Sequence, residues 1–159
     1  MSDSELTHDT FTLHRSYLSS AEELFAAFSR QDMKRAWYAE SPSHETLEYR
    51  LDFRPGGEEL LEVRMLPGTP IADAKLKWSS RYSDIGTDSR IVFYQTTELN
   101  DRCISSAVVT LEFFPRDEGC DLELTHQAVF FEGADGPEMR KMGWEFLLAG
   151  MEATLPERT

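Results

Sequence analysis

The chain has 159 residues, 40% hydrophobic and 11% aromatic, and its 16 basic against 29 acidic residues give a formal net charge of -13. That length and composition predict one core-forming domain and exclude wholesale disorder. The acidic field repels phosphate backbones and anionic bilayers, so neither nucleic acid nor membrane insertion is expected.

Residues 1–8 are polar and acidic, without the basic-then-apolar order of a signal peptide, and read as a flexible tail ahead of a domain over 9–156. From Asp9 to Leu18, Phe11, Leu13 and Tyr17 alternate with polar residues and predict a first strand. Ser19-Ser20 offers an N-cap for a helix over Ala21–Ser29, with Glu22 and Glu23 in the first turn where the helix dipole favours them. A second short helix, about Asp32 to Tyr38, is expected to carry Trp37, and Ser41-Pro42-Ser43 breaks it.

A run of strands follows. Leu47, Tyr49, Leu51 and Phe53 alternate, Arg54-Pro55-Gly56-Gly57 turns the chain, and Leu61, Val63 and Met65 continue on the other side. The Arg-Pro-Gly-Gly run has neither the length nor the Lys-Ser/Thr of a phosphate loop, and it sits between strands, so it is read as a turn. Leu76, Trp78 and Tyr82 mark a fourth strand, Ile91–Glu98 a fifth, Ile104–Phe114 a sixth and Cys120–Phe131 a seventh. Cys120 would lie near the last hairpin turn and Cys103 at its far end, roughly 35 Å away at ~3.3 Å per residue. A disulfide needs Cα atoms within about 7 Å, so free thiols and a reducing, cytoplasmic setting are expected. No His/Cys cluster has zinc spacing, and neither a metal nor a cofactor is expected.

From Gly136 to Leu155, Met139, Met142, Gly143, Phe146, Leu147, Gly150, Met151 and Leu155 recur at spacings of three and four, which predicts a long helix with this stripe buried. Pro137 suits its first position and Pro156 ends it. Two glycines on a buried face imply either close backbone approach or space left open. Strands that alternate apolar and polar residues, closed by one amphipathic helix, pack most simply as a sheet curled around that helix.

The runs Ala21-Glu22-Glu23-Leu24-Phe25-Ala26-Ala27-Phe28, Trp37, Asp52-Phe53-Arg54-Pro55-Gly56-Gly57, Arg90-Ile91-Val92-Phe93, Leu124-Thr125-His126 and Gly143-Trp144 resemble the activator of heat-shock-protein-90 ATPase homologue family, within the START-related, birch-allergen-like (SRPBCC) superfamily. The resemblance implies an α+β helix-grip fold, with an antiparallel sheet of about six to seven strands around the C-terminal helix and an apolar cavity between them. Three functions are then in view: a binding module for a small hydrophobic or amphipathic molecule, a cyclase- or dehydratase-type enzyme using the same cavity, and a protein-interaction module with a chaperone as partner. A monomer or homodimer is expected.

Candidate cavity residues are Trp37, Tyr49, Trp78, Tyr82, Gln95, His126, Met139, Met142, Gly143, Phe146 and Gly150. Gln95 shares a face with Ile91 and Phe93, and Tyr82 shares one with Leu76 and Trp78; such polar tips among apolar neighbours orient a ligand or find partners inside a core. His126 alternates with Leu122, Leu124, Ala128 and Phe130, so an inward imidazole is expected, either a hydrogen-bonded core residue or one that meets ligand or moves protons. No nucleophile elbow or triad context is present.

Overall fold

The computed structural model describes residues 5–157. Strand β1 (Thr7–Tyr17) is followed by helix α1 (Ala21–Ser29), a single turn α2 (Gln31–Lys34) and a π-helical turn (Arg35–Ala39). Strands β2 (His44–Leu51), β3 (Glu58–Met65), β4 (Lys75–Gly86), β5 (Arg90–Leu99), β6 (Arg102–Arg116) and β7 (Gly119–Phe130) come next, and helix α3 (Pro137–Thr154) closes the chain. The strands form one curved antiparallel sheet in the order β1-β7-β6-β5-β4-β3-β2. The first strand therefore crosses to pair with the last, which pattern alone does not specify. It begins at Thr7, inside the expected tail; residues 1–4 of that tail lie outside the described residues.

Local chemistry explains the helix starts. The Ser20 hydroxyl accepts from the Glu23 N–H at 3.1 Å while the Glu23 carboxylate accepts from the Ser20 N–H at 3.0 Å, a capping box that satisfies two orphan donors. Helix α1 buries Leu24, Phe25, Ala27 and Phe28 against the sheet, where Phe25 and Phe28 meet Phe113 edge-on. The expected second helix is a single α-helical turn over Gln31–Lys34 that widens into the π-helical turn over Arg35–Ala39. The π-helical turn brings Trp37 back over α1, where its indole N–H donates to Ala27 O at 2.9 Å.

The Arg54-Pro55-Gly56-Gly57 segment is a turn, docked on β4: the Gly56 N–H donates to Tyr82 O at 2.7 Å and the Tyr82 N–H to Gly57 O at 3.0 Å. Gly56 has φ +81°, and a Cβ on Gly57 would stand 2.0 Å from Asp52 O, so both glycines are required. Cys120 is buried opposite Pro115, near the last hairpin turn as expected, and both thiols are free.

Helix α3 has the expected span but a different buried face. Arg140, Trp144, Leu148 and Met151 point into the core, with Leu147 and Leu155 half-buried. Met139, Met142 and Phe146, expected to be buried, are 58%, 60% and 70% exposed. The helix carries apolar side chains over a wide arc, so spacings of three and four fit two adjacent stripes; the stripe carrying Trp144 and Leu148 packs on the sheet. A Cβ on Gly143 or Gly150 would meet nothing within 4 Å, which removes close backbone approach as the reason for either glycine.

Candidate functional site: a cavity between sheet and C-terminal helix

The displaced stripe borders a cavity of about 420 Å³, within the ~300–1,000 Å³ range of small-molecule sites. Its inner wall comes from the concave sheet face: Leu61 on β3, Trp78 on β4 and Gln95 on β5. One side is the π-helical turn with Trp37 and Tyr38, continued by residues 40–44; the other is α3, with Arg140, Trp144 and Leu147 deep and Met139, Gly143, Phe146 and Gly150 toward the exposed rim. A groove of about 510 Å³ on the sheet across β2 to β6 is lined mostly by charged and hydroxyl side chains, including Arg50, Glu58, Lys77 and Arg81, with Leu60 as its one aliphatic residue.

Of the residues predicted from sequence, Trp37, Trp78, Gln95, Met139, Gly143, Phe146 and Gly150 line this cavity, and Tyr49, Tyr82, His126 and Met142 do not. The tyrosines are engaged elsewhere. Tyr49 donates to Glu59 Oε2 at 2.8 Å and Tyr82 to Glu59 Oε1 at 3.3 Å, and Lys34 Nζ meets the same carboxylate at 2.8 Å. Lys34 and Glu59 are 3% and 2% exposed, so this is a desolvated ion pair with two phenol donors completing the carboxylate's shell. Burial, reinforced by the Glu59 charge, pushes both phenols well above the ordinary tyrosine range, so they donate hydrogen bonds and do not dissociate. Met142 points to solvent.

The ion pair abuts the cavity wall. Lys34 Nζ lies 4.5 Å from the centre of the Tyr38 ring, and the Tyr38 hydroxyl accepts from Gln95 Nε2 at 3.2 Å. Gln95 also donates to Ser80 Oγ at 3.0 Å, which fixes its amide at the wall and leaves the carbonyl oxygen as an acceptor. At the α3 end, Arg140 holds Asp135 through two bonds, Nε to Oδ2 at 2.9 Å and Nη2 to Oδ1 at 2.8 Å. Its positive charge is therefore balanced locally.

His126 faces inward, as its alternation predicts, yet stacks on Phe11 with ring centroids 4.7 Å apart and has no hydrogen bond at either ring nitrogen. Burial first, and the Arg140 charge second, push its pKa down to about 4, so the ring is neutral at physiological pH. Tyr38, Asp135, Arg140 and Trp144 also line the cavity and are not among the residues predicted from sequence. Among the described residues no group of three or more His, Cys, Asp or Glu side chains is placed to hold a metal, and no helix is long and apolar enough to cross a membrane.

A curved antiparallel sheet gripping a C-terminal helix, with a cavity between them, defines a helix-grip protein of the SRPBCC superfamily. The chain belongs to the family described as Activator of Hsp90 ATPase homolog 1-like protein, whose model matches residues 19–156. The crystal structure of the Mll3558 protein from Rhizobium loti is similar over 94% of this chain and 99% of its own, with 30% identity and a TM-score of 0.84. An uncharacterised protein from Rhizobium leguminosarum aligns over 94% of this chain and 95% of its own, with 28% identity and a TM-score of 0.85. An AHSA1-like protein from Aeromonas hydrophila shares the fold at 16% identity and a TM-score of 0.67, over 92% of this chain and 91% of its own. No curated protein matches the chain.

Proposed function

We propose that the chain is a cytoplasmic binding module for a small hydrophobic or amphipathic molecule, held between the sheet and α3. The observation that carries this is the cavity wall: three tryptophans, Trp37, Trp78 and Trp144, with Leu61 and Leu147, around a few oriented polar groups led by Gln95. Apolar walls with sparse fixed polar atoms favour burial of an apolar ligand body and set its direction. The glycines add support. Each costs about 1 kcal/mol against alanine in a helix, and no neighbour requires either one. Space along the rim is what they supply.

Titration with Nile red, an apolar dye that brightens on leaving water, tests the reading. The parent protein should take up the dye saturably, and Gly143→Leu and Gly150→Leu should each weaken uptake about tenfold or more, ~1.4 kcal/mol, while melting no lower than the parent. No uptake by the parent, or full uptake by both variants, would refute the reading.

A second reading, a protein-interaction module of the chaperone-associated kind, draws on the exposed Met139, Met142 and Phe146. It expects Met142→Lys to abolish partner capture and leave dye uptake intact.

A further inference from the structure

Arg140 lines the cavity with a guanidinium that is only partly engaged. A guanidinium carries five N–H donors in a fixed plane. Asp135 takes the Nε–H and one Nη2 hydrogen, side-on, at 2.9 and 2.8 Å. Nη1 has no hydrogen-bond partner among the described residues, yet it is not one of the fully enclosed unpaired atoms, so it borders open space, and the open space beside Arg140 is the cavity. Nη1 and the remaining Nη2 hydrogen thus form a second, end-on donor pair. The residue is 8% exposed, and Phe130 packs its ring 5.1 Å from the guanidinium carbon, so this edge is held in place before any guest arrives. Balancing Asp135 does not require it: a lysine would do so as a point charge, with no second edge.

The helix gives the edge a direction. Arg140, Gly143, Leu147 and Gly150 follow at spacings of three and four, all four line the cavity, and together they make one stripe about 15 Å long at ~1.5 Å per residue. The stripe begins with one polar group and continues without another. It matches an amphipathic guest whose head meets Arg140 and whose chain passes over the glycines.

The charge already present selects the head. Arg140 and Lys34 are the buried cations among the described residues, and Asp135 and Glu59 neutralise them. A carboxylate head would be a second anion on one guanidinium, buried without a counter-charge. An ammonium would face N–H donors. A hydroxyl accepts there but brings a proton for which this edge has no acceptor. A carbonyl oxygen has two lone pairs and no proton, and it meets both donors.

We propose that Arg140 is the specificity-determining residue of the cavity, its free Nη1–Nη2 edge binding the carbonyl oxygen of an uncharged amphipathic molecule, a ketone or ester, whose chain runs down α3 over Gly143 and Gly150. This rests on the ligand-binding reading above and adds the head group and the direction of the ligand. An Arg140 that only fastens the segment before α3 through Asp135 would confer no preference among ligand heads.

Displacement of Nile red from the full chain tests the assignment with three compounds: heptyl methyl ketone, its analogue with a CH2 group in place of the carbonyl oxygen, and nonanoate. Arg140→Lys keeps a charge opposite Asp135 and loses the second edge. The ketone should then need about tenfold more compound than with the parent, the size of one charge-assisted hydrogen bond, while the hydrocarbon analogue displaces as before. Asp135→Asn leaves Arg140 in place and removes its counter-charge, so nonanoate should displace at about tenfold lower concentration than from the parent, with the ketone unchanged; this arm decides the question even where Arg140→Lys does not fold. An unchanged ketone in Arg140→Lys, an equal loss for ketone and hydrocarbon, or nonanoate displacing from the parent as well as from Asp135→Asn would overturn the role of Arg140 and leave the cavity reading standing. Failure of the parent to bind the dye or any of the three compounds would overturn both.

Discussion

The buried Lys34–Glu59 pair gives the sharpest test of how the walls are held. Lys34 ends α2 and Glu59 lies in β3, so the 2.8 Å contact ties the helical layer to the sheet beside the cavity, with Tyr49 and Tyr82 supplying two further bonds to the carboxylate. Lys34→Met keeps most of the aliphatic stem and removes the charge, leaving an anion that is 2% exposed. Breaking a desolvated pair from one side costs about 3–5 kcal/mol, because the surviving charge stays buried. For a domain of this size ~1 kcal/mol is roughly 2–4 °C in Tm, so the loss is about 6–20 °C. Glu59→Gln should cost a similar amount by stranding the ammonium. The double variant should be less damaged than the sum of the singles by at least ~2 kcal/mol, since neither charge then lacks a partner. Urea denaturation of the four proteins measures this coupling directly. Single losses below ~1 kcal/mol, or strict additivity, would mean that the pair is solvated and that other contacts set the wall.

Two further outcomes are expected. Leu148→Ala should cost about 2–5 kcal/mol and Phe146→Ala under ~1 kcal/mol, read by denaturant melts, because Leu148 is sealed against the sheet and Phe146 is exposed; the reverse order would mean that α3 is rotated. His126 should contribute acid sensitivity: with its folded pKa at about 4 and its unfolded value near 6.5, the unfolded state binds the proton first, so stability is complete above roughly pH 6.5 and falls as the pH drops toward 4. That loss is on the order of 3 kcal/mol, and the stability difference between His126→Phe and the parent should shift by that amount between pH 7 and 4; a constant difference refutes the neutral buried ring.

Much of the fold was legible because its signals are local. Helix α1 runs over the residues that Ser20, its acidic first turn and its apolar face indicate, and strands β3, β5, β6 and β7 show the alternation of a one-sided sheet, while a bulge in β2 leaves Leu47 exposed. Strand order was not legible, because the β1–β7 pairing joins residues more than a hundred positions apart and nothing in either strand's pattern names its partner. The π-helical turn is indistinguishable from ordinary helix in the sequence, since a wider hydrogen-bond register leaves the side-chain pattern almost unchanged over five residues. Glu59 is masked in the sequence by its neighbour Glu58, though its parity with Leu61 and Val63 puts it on the inner face. Lys34 gave no comparable signal; its partner lies 25 residues away in sequence.

The misread face of α3 shows how the candidate site arises. Trp144, Leu148 and Met151 seal the core along one arc, while Met139, Gly143, Phe146 and Gly150 occupy the neighbouring arc, where the sheet curves away and the cavity opens. Both arcs are apolar, so periodicity alone cannot rank them. The composition of each arc does distinguish them. Trp144, Leu148 and Met151 stand where they are fully buried, and two glycines stand on the arc of exposed Met139 and Phe146, where no neighbour fixes a shape. Packing alone gives no reason for the second arc: alanine at 143 and 150 would strengthen the helix by about 1 kcal/mol each, and exposed Met139 and Phe146 gain little from burial. A stable core on one arc and an unfilled apolar rim on the next is the arrangement a ligand-gripping helix requires, since the first must not move when the second is occupied.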